Sequence, residues 1–353
     1  MGDYYDGTKL LSLSDLNGEK PEIYICTTNR TGGKTTYFGR LLINHFINDG
    51  EKFCLVYRYN YELDNVAEKF FKDIGSLFFS GYIMSSKKRA NGIYHELFLA
   101  KKGSADEEGK SCGYAVSLNS AAQIKNCSHL FSDVQRMLFD EFQSETNQYC
   151  ADEVTKLISI HTSIARGQGK QTRYVPIYML SNPVSLINPY YVEMGISERL
   201  KNTTRFLRGE GFVMEQGYVE SASKAYRESA FNRAFQKNNY IGYAAECVYL
   251  NDSQAFIEKP EGKSRYLATL RYKSIDYAVR EFSDLGIIYC DDHADKSFPG
   301  KLSVTTEDHN INYVMLRRNH IFVETLRWYF ERGCFRFKDL RCKEAVLKAL
   351  AYY

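Results

Sequence analysis

The stretch of sequence that decides the fold is Thr28-Asn29-Arg30-Thr31-Gly32-Gly33-Lys34-Thr35. An apolar run over 23–27 precedes it and a helical pattern over 35–48 follows, which predicts a strand, a turn and a helix in that order. The last three positions fit the phosphate-binding pattern G-x-x-x-x-G-K-S/T, whereas Thr28 stands in place of the first glycine. A Gly-rich turn that happens to precede a helix is the alternative interpretation of this motif taken alone.

The residue types of this loop suit the binding of phosphate groups. Backbone N–H groups at a Gly-rich turn and at a helix N-terminus point at bound phosphate oxygens. Lys34 is expected to bind the β- and γ-phosphates of ATP, and the hydroxyl of Thr35 is expected to bind Mg²⁺. Gly33 permits close approach of the backbone, and Gly32 is expected to restore freedom lost at position 28. The predicted nucleotide-binding residues of the loop are Thr28, Asn29, Arg30, Thr31, Gly32, Gly33, Lys34 and Thr35.

A second element follows later in the chain, where the apolar run 137–139 ends in Asp140 and Glu141. An apolar strand that ends in two acids is typical of a Walker B segment. Asp140 is expected to hold Mg²⁺ through a water molecule, and Glu141 to polarise the attacking water as a general base. A strand that ends in two solvated acids is the alternative. The two elements together favour a nucleotide-hydrolysing site.

Two polar positions elsewhere fit the same site. Asn182 follows a predicted strand over 174–180, where it can contact the γ-phosphate or the attacking water, although an Asn-Pro pair also favours an ordinary turn. Arg166 ends a predicted helix over 154–165 and is a candidate arginine finger for the nucleotide of a neighbouring subunit. A cation that complements the dipole of this helix is the alternative interpretation of Arg166.

The order of the predicted elements indicates two kinds of domain. Strands alternate with helices in the first half, which predicts an α/β domain with a mostly parallel sheet over 1–196. Residues 197–245 are polar and charged and are expected to form a helical connector. Consecutive strands followed by two helices, over about 310–332 and 339–351, predict an α+β domain over 246–353.

Composition excludes several classes of protein. The 353 residues carry 46 Lys and Arg against 43 Asp and Glu, and the net charge of +3 excludes binding of nucleic acid through bulk charge. A hydrophobic content of 44% with only 6 Pro excludes a disordered chain. The nine Cys lack a C-x-x-C spacing, so free thiols in a reducing compartment are expected. The sequence shows neither a signal peptide nor an apolar run long enough for a membrane helix, so we expect a soluble, intracellular protein without a membrane partner.

Positive charge is instead concentrated in local patches. The basic run Lys87, Lys88 and Arg89 is expected on a turn between two strands, and it is the first candidate for a loop that grips DNA phosphates. A solvated hairpin tip is the alternative. The segment 301–353 holds 10 Lys and Arg against 6 Asp and Glu, which predicts contact with nucleic acid or with an acidic protein surface.

With these residues in place, the chain resembles the DNA-packaging ATPases of short-tailed bacteriophages of the Picovirinae type, which belong to the additional-strand P-loop superfamily. The resemblance spans nearly the whole chain. The segments that carry it are Arg30, 33–35, 49–53, 58–59, 62–63, 138–142, 153–154, Arg166, 180–185, 188–190, 252–259 and 305–308.

The resemblance implies that ATP hydrolysis drives double-stranded DNA into an empty procapsid. The implied partners are the DNA, the portal of the procapsid, further copies of the chain in a homo-oligomeric ring, usually a pentamer, and in some relatives a packaging RNA. The implied location is the host cytoplasm and, transiently, the portal vertex. Lys34 and Thr35 are the implied Walker A pair, Asp140 and Glu141 the Walker B pair, and Arg166 a finger that acts in trans.

The resemblance also implies an RNase H-like C-terminal domain that has lost its nuclease site. The acids Asp252, Asp291, Asp292 and Asp295 offer the alternative of a terminase with an active two-metal nuclease. A nucleotide-binding adaptor that does not hydrolyse ATP is a second alternative, and a small-molecule kinase would leave the C-terminal domain unexplained. Because Asn60 stands where a relative carries a Lys that grips DNA, Arg58 or the basic turn is expected to take over that contact.

Overall fold

The structure is a computed structural model that describes residues 4–104, 108–145, 148–167, 169, 171–185, 188–197, 199–200, 204–235, 244, 255–332 and 334–351. The chain divides into two compact units, each made of segments that are discontinuous in sequence. The first unit contains Met1–Phe142, Thr155–Pro183 and Asn202–Val248. The second unit contains Gln143–Val154, Val184–Lys201 and Tyr249–Tyr353. The predicted domain boundaries at 196 and 245 stay a prediction. Two short segments of the first predicted domain, Gln143–Val154 and the part of Val184–Lys201 up to residue 196, belong to the second unit.

In the described part of the first unit, nine strands form one sheet. These strands are β1 (Ile23–Thr27), β2 (Lys52–Tyr57), β3 (Tyr82–Arg89), β4 (Tyr94–Lys101), β5 (Lys110–Ser117), β6 (Val134–Asp140), β7 (Ile177–Ser181), β8 (Phe206–Gly209) and β9 (Phe212–Gln216). Their order across the sheet is β3-β4-β5-β2-β6-β7-β1-β9-β8. The strands from β5 to β9 in this order all run parallel, and the antiparallel pairs lie only at the two edges. The predicted α/β domain with a mostly parallel sheet is confirmed.

The central strands are buried because their sequences are apolar without interruption. β7 is buried along its whole length, and β1 along all but its first residue. Continuous apolar runs of this kind are typical of parallel strands that are covered on both faces.

The described helices of the chain are α1 (Thr8–Leu11), α2 (Lys34–Asp49), α3 (Val66–Phe78), α4 (Ala121–Asn126), α5 (Glu153–Ile164), α6 (Pro189–Glu193), α7 (Glu220–Glu228), α8 (Ala230–Ala234), α9 (His320–Glu331) and α10 (Leu340–Ala351).

The predicted helical connector is wrong over its middle part. Residues 206–216 form the hairpin β8-β9, and β9 pairs in parallel with β1. The turn Glu210-Gly211, with φ 73° at Gly211, joins the two strands as tight hairpin turns do. The polar composition of 197–239 concealed this hairpin, whose apolar residues are confined to two short runs. Helices α7 and α8 do follow it, as expected.

The basic run Lys87, Lys88 and Arg89 is also placed differently from the prediction. All three residues belong to the end of β3, and the turn itself consists of 90–92. The short 3₁₀ turn Asn60–Leu63 comes before α3, and Asn65, which takes a left-handed conformation, separates the two.

In the described part of the second unit, six strands form a second sheet. These strands are β10 (Arg265–Tyr272), β11 (Ile275–Phe282), β12 (Ile287–Asp291), β13 (Lys301–Ser303), β14 (Val314–Met315) and β15 (Phe335–Phe337). Their order is β14-β13-β10-β11-β12-β15. Strands β10, β11 and β12 form an antiparallel meander, whereas β13 runs parallel to β10, β14 parallel to β13, and β15 parallel to β12. This strand order is that of an RNase H-like sheet, as predicted.

The predicted helix over 310–332 begins only at His320. The Asn319 side chain accepts a hydrogen bond from the backbone N–H of Phe322 at 3.4 Å and so caps α9, while 314–315 form β14. The second predicted helix corresponds to α10.

No described helix has both the length and the apolar character needed to cross a bilayer. The eight described cysteines carry free thiols as expected, and Cys247 lies outside the described residues.

Candidate nucleotide-binding site

The loop between β1 and α2 is a tight turn that requires glycine at one position. Gly33 caps α2 with φ 91°, a left-handed conformation that glycine adopts without strain. Thr31 is also left-handed, with φ 60°, although it carries a branched side chain. Gly32 is buried and is not left-handed, and a Cβ atom there would lie only 3.2 Å from the carbonyl oxygen of Asn29. The expected role of Gly32 in restoring backbone freedom is therefore wrong, because Gly32 serves close packing instead.

Two buried side chains at the start of the loop face protein rather than solvent. The Asn29 side chain donates to the carbonyl oxygen of Val219 at 3.0 Å and accepts from its N–H at 2.9 Å. The backbone N–H of Thr28 donates to the carbonyl oxygen of Ser181 at 3.3 Å, and its hydroxyl is buried. These contacts anchor the loop to the segment that follows β9 and to the last residue of β7. The side chains of Thr28 and Asn29 are therefore buried within the protein, which the sequence did not indicate.

The next two loop residues differ in exposure. The backbone N–H of Arg30 donates to the carbonyl oxygen of Ala244 at 3.0 Å, which adds a further anchor within the first unit. Thr31 is exposed, and its hydroxyl donates to the carbonyl oxygen of Arg30 at 2.6 Å. Thr31 is therefore the exposed residue of this part of the loop, and Gly33 nearby is half-buried.

The lysine of the motif meets the predicted sensor residue. Lys34 is the first residue of α2, only 8% exposed, and its Nζ donates to Oδ1 of Asn182 at 2.8 Å. Asn182 directly follows β7, whose last residue Ser181 lies opposite Thr27 of β1 in the parallel register. Because parallel strands end at one edge of the sheet, this register brings the lysine and the asparagine together.

The two predicted metal-binding residues are also in contact. The hydroxyl of Thr35 donates to Oδ2 of Asp140 at 2.7 Å. Asp140 ends β6, and both side chains reach solvent. A hydroxyl and a carboxylate are oxygen ligands of the kind that Mg²⁺ takes, and Mg²⁺ keeps several waters of its own beside them. The donor set of this pair therefore fits Mg²⁺.

Glu141 is held in an unusual backbone conformation. Its φ is 54°, and its N–H donates to Oδ1 of Asp140 at 2.9 Å. A left-handed residue with a long side chain is strained by roughly 1–3 kcal/mol, so its surroundings must hold it in place. The Glu141 side chain is exposed beside the Thr35–Asp140 pair.

Arg58 supplies that support. Both of its Nη atoms lie 3.3 Å from the carbonyl oxygen of Glu141, and Nη2 donates to the carbonyl oxygen of Phe142 at 2.7 Å. The guanidinium also lies over the ring of Phe139, at 5.7 Å from its centroid. Arg58 is only 7% exposed. Its placement argues against the predicted DNA contact and makes Arg58 a residue that positions Glu141.

A cavity of about 150 Å³ lies beside these groups, and its walls include Thr35, Tyr57, Glu62, Asp140 and Glu141. A space of this size accommodates several water molecules. Burial, together with the negative charges of Asp140 and Glu62, raises the pKa of the Tyr57 hydroxyl, so this side chain is neutral. The arrangement places a neutral phenol, three carboxylates and a hydroxyl on the walls of one small cavity, which the apolar side chains of Leu55, Val56, Phe70 and Leu138 also line.

Arg166 lies two residues beyond the end of α5 and is exposed. It makes no hydrogen bond or ion pair with any residue that the structure describes. The structure therefore does not bring Arg166 into the P-loop site of its own chain. An exposed arginine of this kind is compatible both with a finger for a neighbouring subunit and with a cation near the helix end.

The predicted DNA contacts at the end of β3 are each paired with an acid. Lys87 contacts Glu108, Lys88 lies 3.1 Å from Asp64, and Arg89 lies 2.8 Å from Glu96. All six side chains except that of Glu96 are more than 40% exposed. Exposed ion pairs of this type stabilise a fold by only about 0–1 kcal/mol, so the cations remain available to other anions.

Two of the candidate nuclease acids of the second unit, Asp291 and Asp292, are paired with cations. Asp291 is buried and lies 3.3 Å from Nε of Arg280. Asp292 contacts Lys338, and this hydrogen bond is the leading reason that its pKa is lowered. Asp295 accepts a hydrogen bond from the backbone N–H of Ser297 at 2.8 Å. Asp252 lies outside the described residues.

The first unit has the strand arrangement of one particular class of protein. Between β1, which leads into the loop, and β6, which ends in Asp140, the sheet carries one additional strand, β7. A Gly-Lys-Thr loop, a strand that ends in Asp-Glu, and an added strand between them define the additional-strand class of P-loop nucleotide-binding proteins. Within this class the chain belongs to the Podovirus DNA encapsidation protein (Gp16) family, whose sequence profile matches residues 3–351.

Known relatives agree with this assignment. The "DNA packaging protein" of Bacillus phage phi29 is 26% identical over 314 residues, which cover 88% of this chain and 86% of the relative. The corresponding protein of Bacillus phage B103 is 25% identical over 311 residues, 87% of this chain and 89% of the relative. A chain of the bacteriophage Phi-29 viral genome packaging motor assembly has the same fold, with a TM-score of 0.56 at 23% identity over 99% of this chain and 98% of that one.

Proposed function

We propose that the chain hydrolyses ATP at the loop between β1 and α2 and couples the hydrolysis to the movement of double-stranded DNA into a viral procapsid. In this proposal Lys34 binds the β- and γ-phosphates, and Thr35 and Asp140 hold Mg²⁺. Glu141 polarises the attacking water, and Asn182 contacts the γ-phosphate or that water. The family to which the chain belongs is one of DNA encapsidation proteins.

The observation that carries the proposal is the contact of Thr35 with Asp140 at 2.7 Å. These residues are far apart in sequence, and a hydroxyl at the start of a helix that meets a carboxylate at the end of a strand is the arrangement that a Walker-type site needs. Mg²⁺ bound by this pair would neutralise charge on the β- and γ-phosphate oxygens. The Lys34 ammonium, which Asn182 orients, then adds a second positive charge.

The position of Glu141 supports its role as the base. Its backbone is held by Arg58 and by Asp140, while its side chain remains exposed next to the small cavity. A general base must reach the water that it activates, and a fixed backbone limits the positions that its carboxylate can take. Glu141→Gln keeps the shape of this side chain and removes its basicity.

We further propose that Arg166 acts on the nucleotide of a neighbouring copy of the chain. Its exposure and its lack of a partner among the described residues support this role. A finger that acts between subunits requires a ring of copies, and the relative of Bacillus phage phi29 is known from a packaging motor assembly. A homo-oligomeric ring, usually pentameric in the family, at the portal of a procapsid in the host cytoplasm follows as part of the proposal, with a packaging RNA as a further partner.

For contact with DNA we propose Lys88 first, and Lys87 and Arg89 beside it. Lys88 is the most exposed of the three cations, at 66%, and its ion pair with Asp64 is exposed at both ends. A DNA phosphate can therefore replace the Asp64 carboxylate at little cost in free energy. Contacts of this kind carry no sequence information, which suits a protein that must move along any DNA.

A live nuclease in the second unit is the alternative that the ion pairs disfavour. A two-metal site needs several carboxylates about one point, whereas Asp291 is committed to Arg280 and Asp292 to Lys338. We expect plasmid DNA to remain uncut in the presence of Mg²⁺ or Mn²⁺. Cleavage by the wild type that is lost in Asp291→Ala would establish the nuclease.

The test of the hydrolytic site is steady-state release of phosphate from ATP. We expect Lys34→Ala and Glu141→Gln each to abolish turnover, the first through lost phosphate contacts and the second through loss of the base. Lys9→Ala and Glu210→Gln, which change exposed residues of the same types, are the matched controls. Full activity in Glu141→Gln would refute the assignment, and binding without turnover in the wild type would favour a non-hydrolysing adaptor.

A further inference from the structure

The chain just before α1 is fixed against the P-loop. The backbone N–H of Tyr5 donates to the carbonyl oxygen of Gly32 at 2.8 Å. The Tyr5 ring is 7% exposed and stacks near Phe38 of α2, with centroids 6.1 Å apart. Its hydroxyl donates to Oε2 of the buried Glu215 at 2.8 Å. Three independent contacts therefore hold the backbone at position 5 relative to the loop.

The residue before this anchor has the opposite exposure. Tyr4 is 68% exposed, whereas Tyr5 is 7% exposed. The Tyr4 side chain lies directly against Gly33, since a Cβ atom at Gly33 would be 3.1 Å from Cδ1 of Tyr4 and 3.5 Å from its Cβ. An exposed aromatic side chain therefore stands beside the left-handed glycine that begins α2.

The Tyr4 ring lies beside the loop from which a bound nucleotide would extend. The backbone N–H groups of the loop and the first turn of α2 cradle the phosphates, and the nucleoside projects from the α-phosphate beyond them. Tyr4 contacts Gly33, the last residue of this phosphate cradle before Lys34, so its ring lies at the edge of the cradle. An exposed ring offers a flat face on which a base can stack.

We propose that Tyr4 stacks on the base of the bound nucleotide, with Tyr5 and Glu215 as the anchor that holds it there. The inference rests on the proposed function, because it takes the loop to bind a nucleoside triphosphate. Stacking uses the flat face that all bases share, so this contact recognises a purine or pyrimidine ring without selecting one base. In this proposal the Tyr4 contact contributes affinity through the base, whereas the loop contributes affinity through the phosphates.

The expected effect is a loss of affinity that depends on the presence of a base. One stacked base corresponds to about 5- to 30-fold in affinity at an exposed site. Tyr4→Ala should therefore weaken the binding of ADP by about that factor, and the binding of GDP by a similar factor. The binding of inorganic tripolyphosphate, which has no base, should stay unchanged. Tyr4→Phe keeps the ring and should bind ADP like the wild type.

The experiment is calorimetric titration of the full chain with ADP, GDP and tripolyphosphate in the presence of Mg²⁺. Phe231→Ala is the matched control, because it removes another exposed ring, one that is 74% exposed on α8. Wild-type affinity for ADP in Tyr4→Ala would overturn the proposal. Equal weakening of ADP and tripolyphosphate would also overturn it, because Tyr4 would then shape the phosphate cradle. Wild-type chain that binds none of the three ligands would refute the proposed function itself.

Discussion

Replacement of Arg58 by Ala tests how the candidate base is held. The guanidinium donates to the carbonyl oxygens of Glu141 and Phe142, at 3.3 and 2.7 Å, and covers the ring of Phe139. Removal of the side chain leaves two backbone carbonyls without their charged donor. The left-handed conformation of Glu141, with φ 54°, then loses the contact that opposes its relaxation.

The size of the effect follows from these contacts. A hydrogen bond to a charged group contributes about 1.5–3 kcal/mol, and water replaces part of it because Glu141 is exposed. We expect the turn to lose about 2–4 kcal/mol of stabilisation when both contacts go. If the active position of Glu141 depends on them fully, the rate constant kcat for ATP hydrolysis falls about 30-fold or more.

The assay is ATP hydrolysis without DNA, combined with DNA binding and thermal unfolding of the same variants. Arg58→Lys keeps the charge but not the forked geometry, so its kcat should fall between wild type and Arg58→Ala. Arg40→Ala is the control, because Arg40 also lies over an aromatic ring, that of Phe78, but on the exposed face of α2. Unchanged kcat in Arg58→Ala together with weaker binding of DNA would refute the positioning role and restore the DNA contact.

Three further perturbations have defined outcomes. Thr35→Ala should abolish Mg²⁺-dependent hydrolysis, whereas Thr35→Ser keeps the hydroxyl that contacts Asp140 and should remain active; equal activity of both variants would contradict the metal assignment. Mixing Arg166→Ala with Glu141→Gln subunits should restore part of the ATPase rate, because each supplies what the other lacks, and no rescue at any ratio would exclude a finger in trans. Burial raises the pKa of Glu215 above its ordinary value of 4.5, so the folded chain retains a proton that the unfolded chain releases, and stability falls as pH rises from about 4.5 through the raised pKa. Glu215→Gln should remove this fall in urea unfolding measured across that range, and a difference between variant and wild type that does not change with pH would contradict the assignment.

The sequence predicts the central sheet and the P-loop correctly because both depend on local patterns. Uninterrupted apolar runs are typical of buried parallel strands, and the Gly-Lys-Thr sequence fixes the turn before α2. The contact between Thr35 and Asp140 could also be anticipated, because parallel strands end at one edge of a sheet. The RNase H-like strand order followed from the resemblance to a family and not from periodicity.

Other features depend on long-range contacts that no local pattern announces. Asn29 and Tyr5 anchor the loop through Val219 and Glu215, which lie about two hundred residues away in sequence. Arg58 looked like a free cation in the sequence, and only its burial against the Glu141 turn indicates a positioning role. The hairpin β8-β9 was missed because polar residues outnumber its short apolar runs. The Gly in its turn was the available signal.

The central claim is that ATP hydrolysis at this site is coupled to double-stranded DNA. It is tested most directly by the steady-state ATPase rate of the full chain, measured with and without double-stranded DNA at increasing salt. The account predicts that DNA stimulates the wild-type rate several-fold, that the stimulation declines with salt as phosphate contacts do, and that Glu141→Gln has no rate to stimulate. A wild-type rate that is the same with and without DNA at low salt would contradict the account.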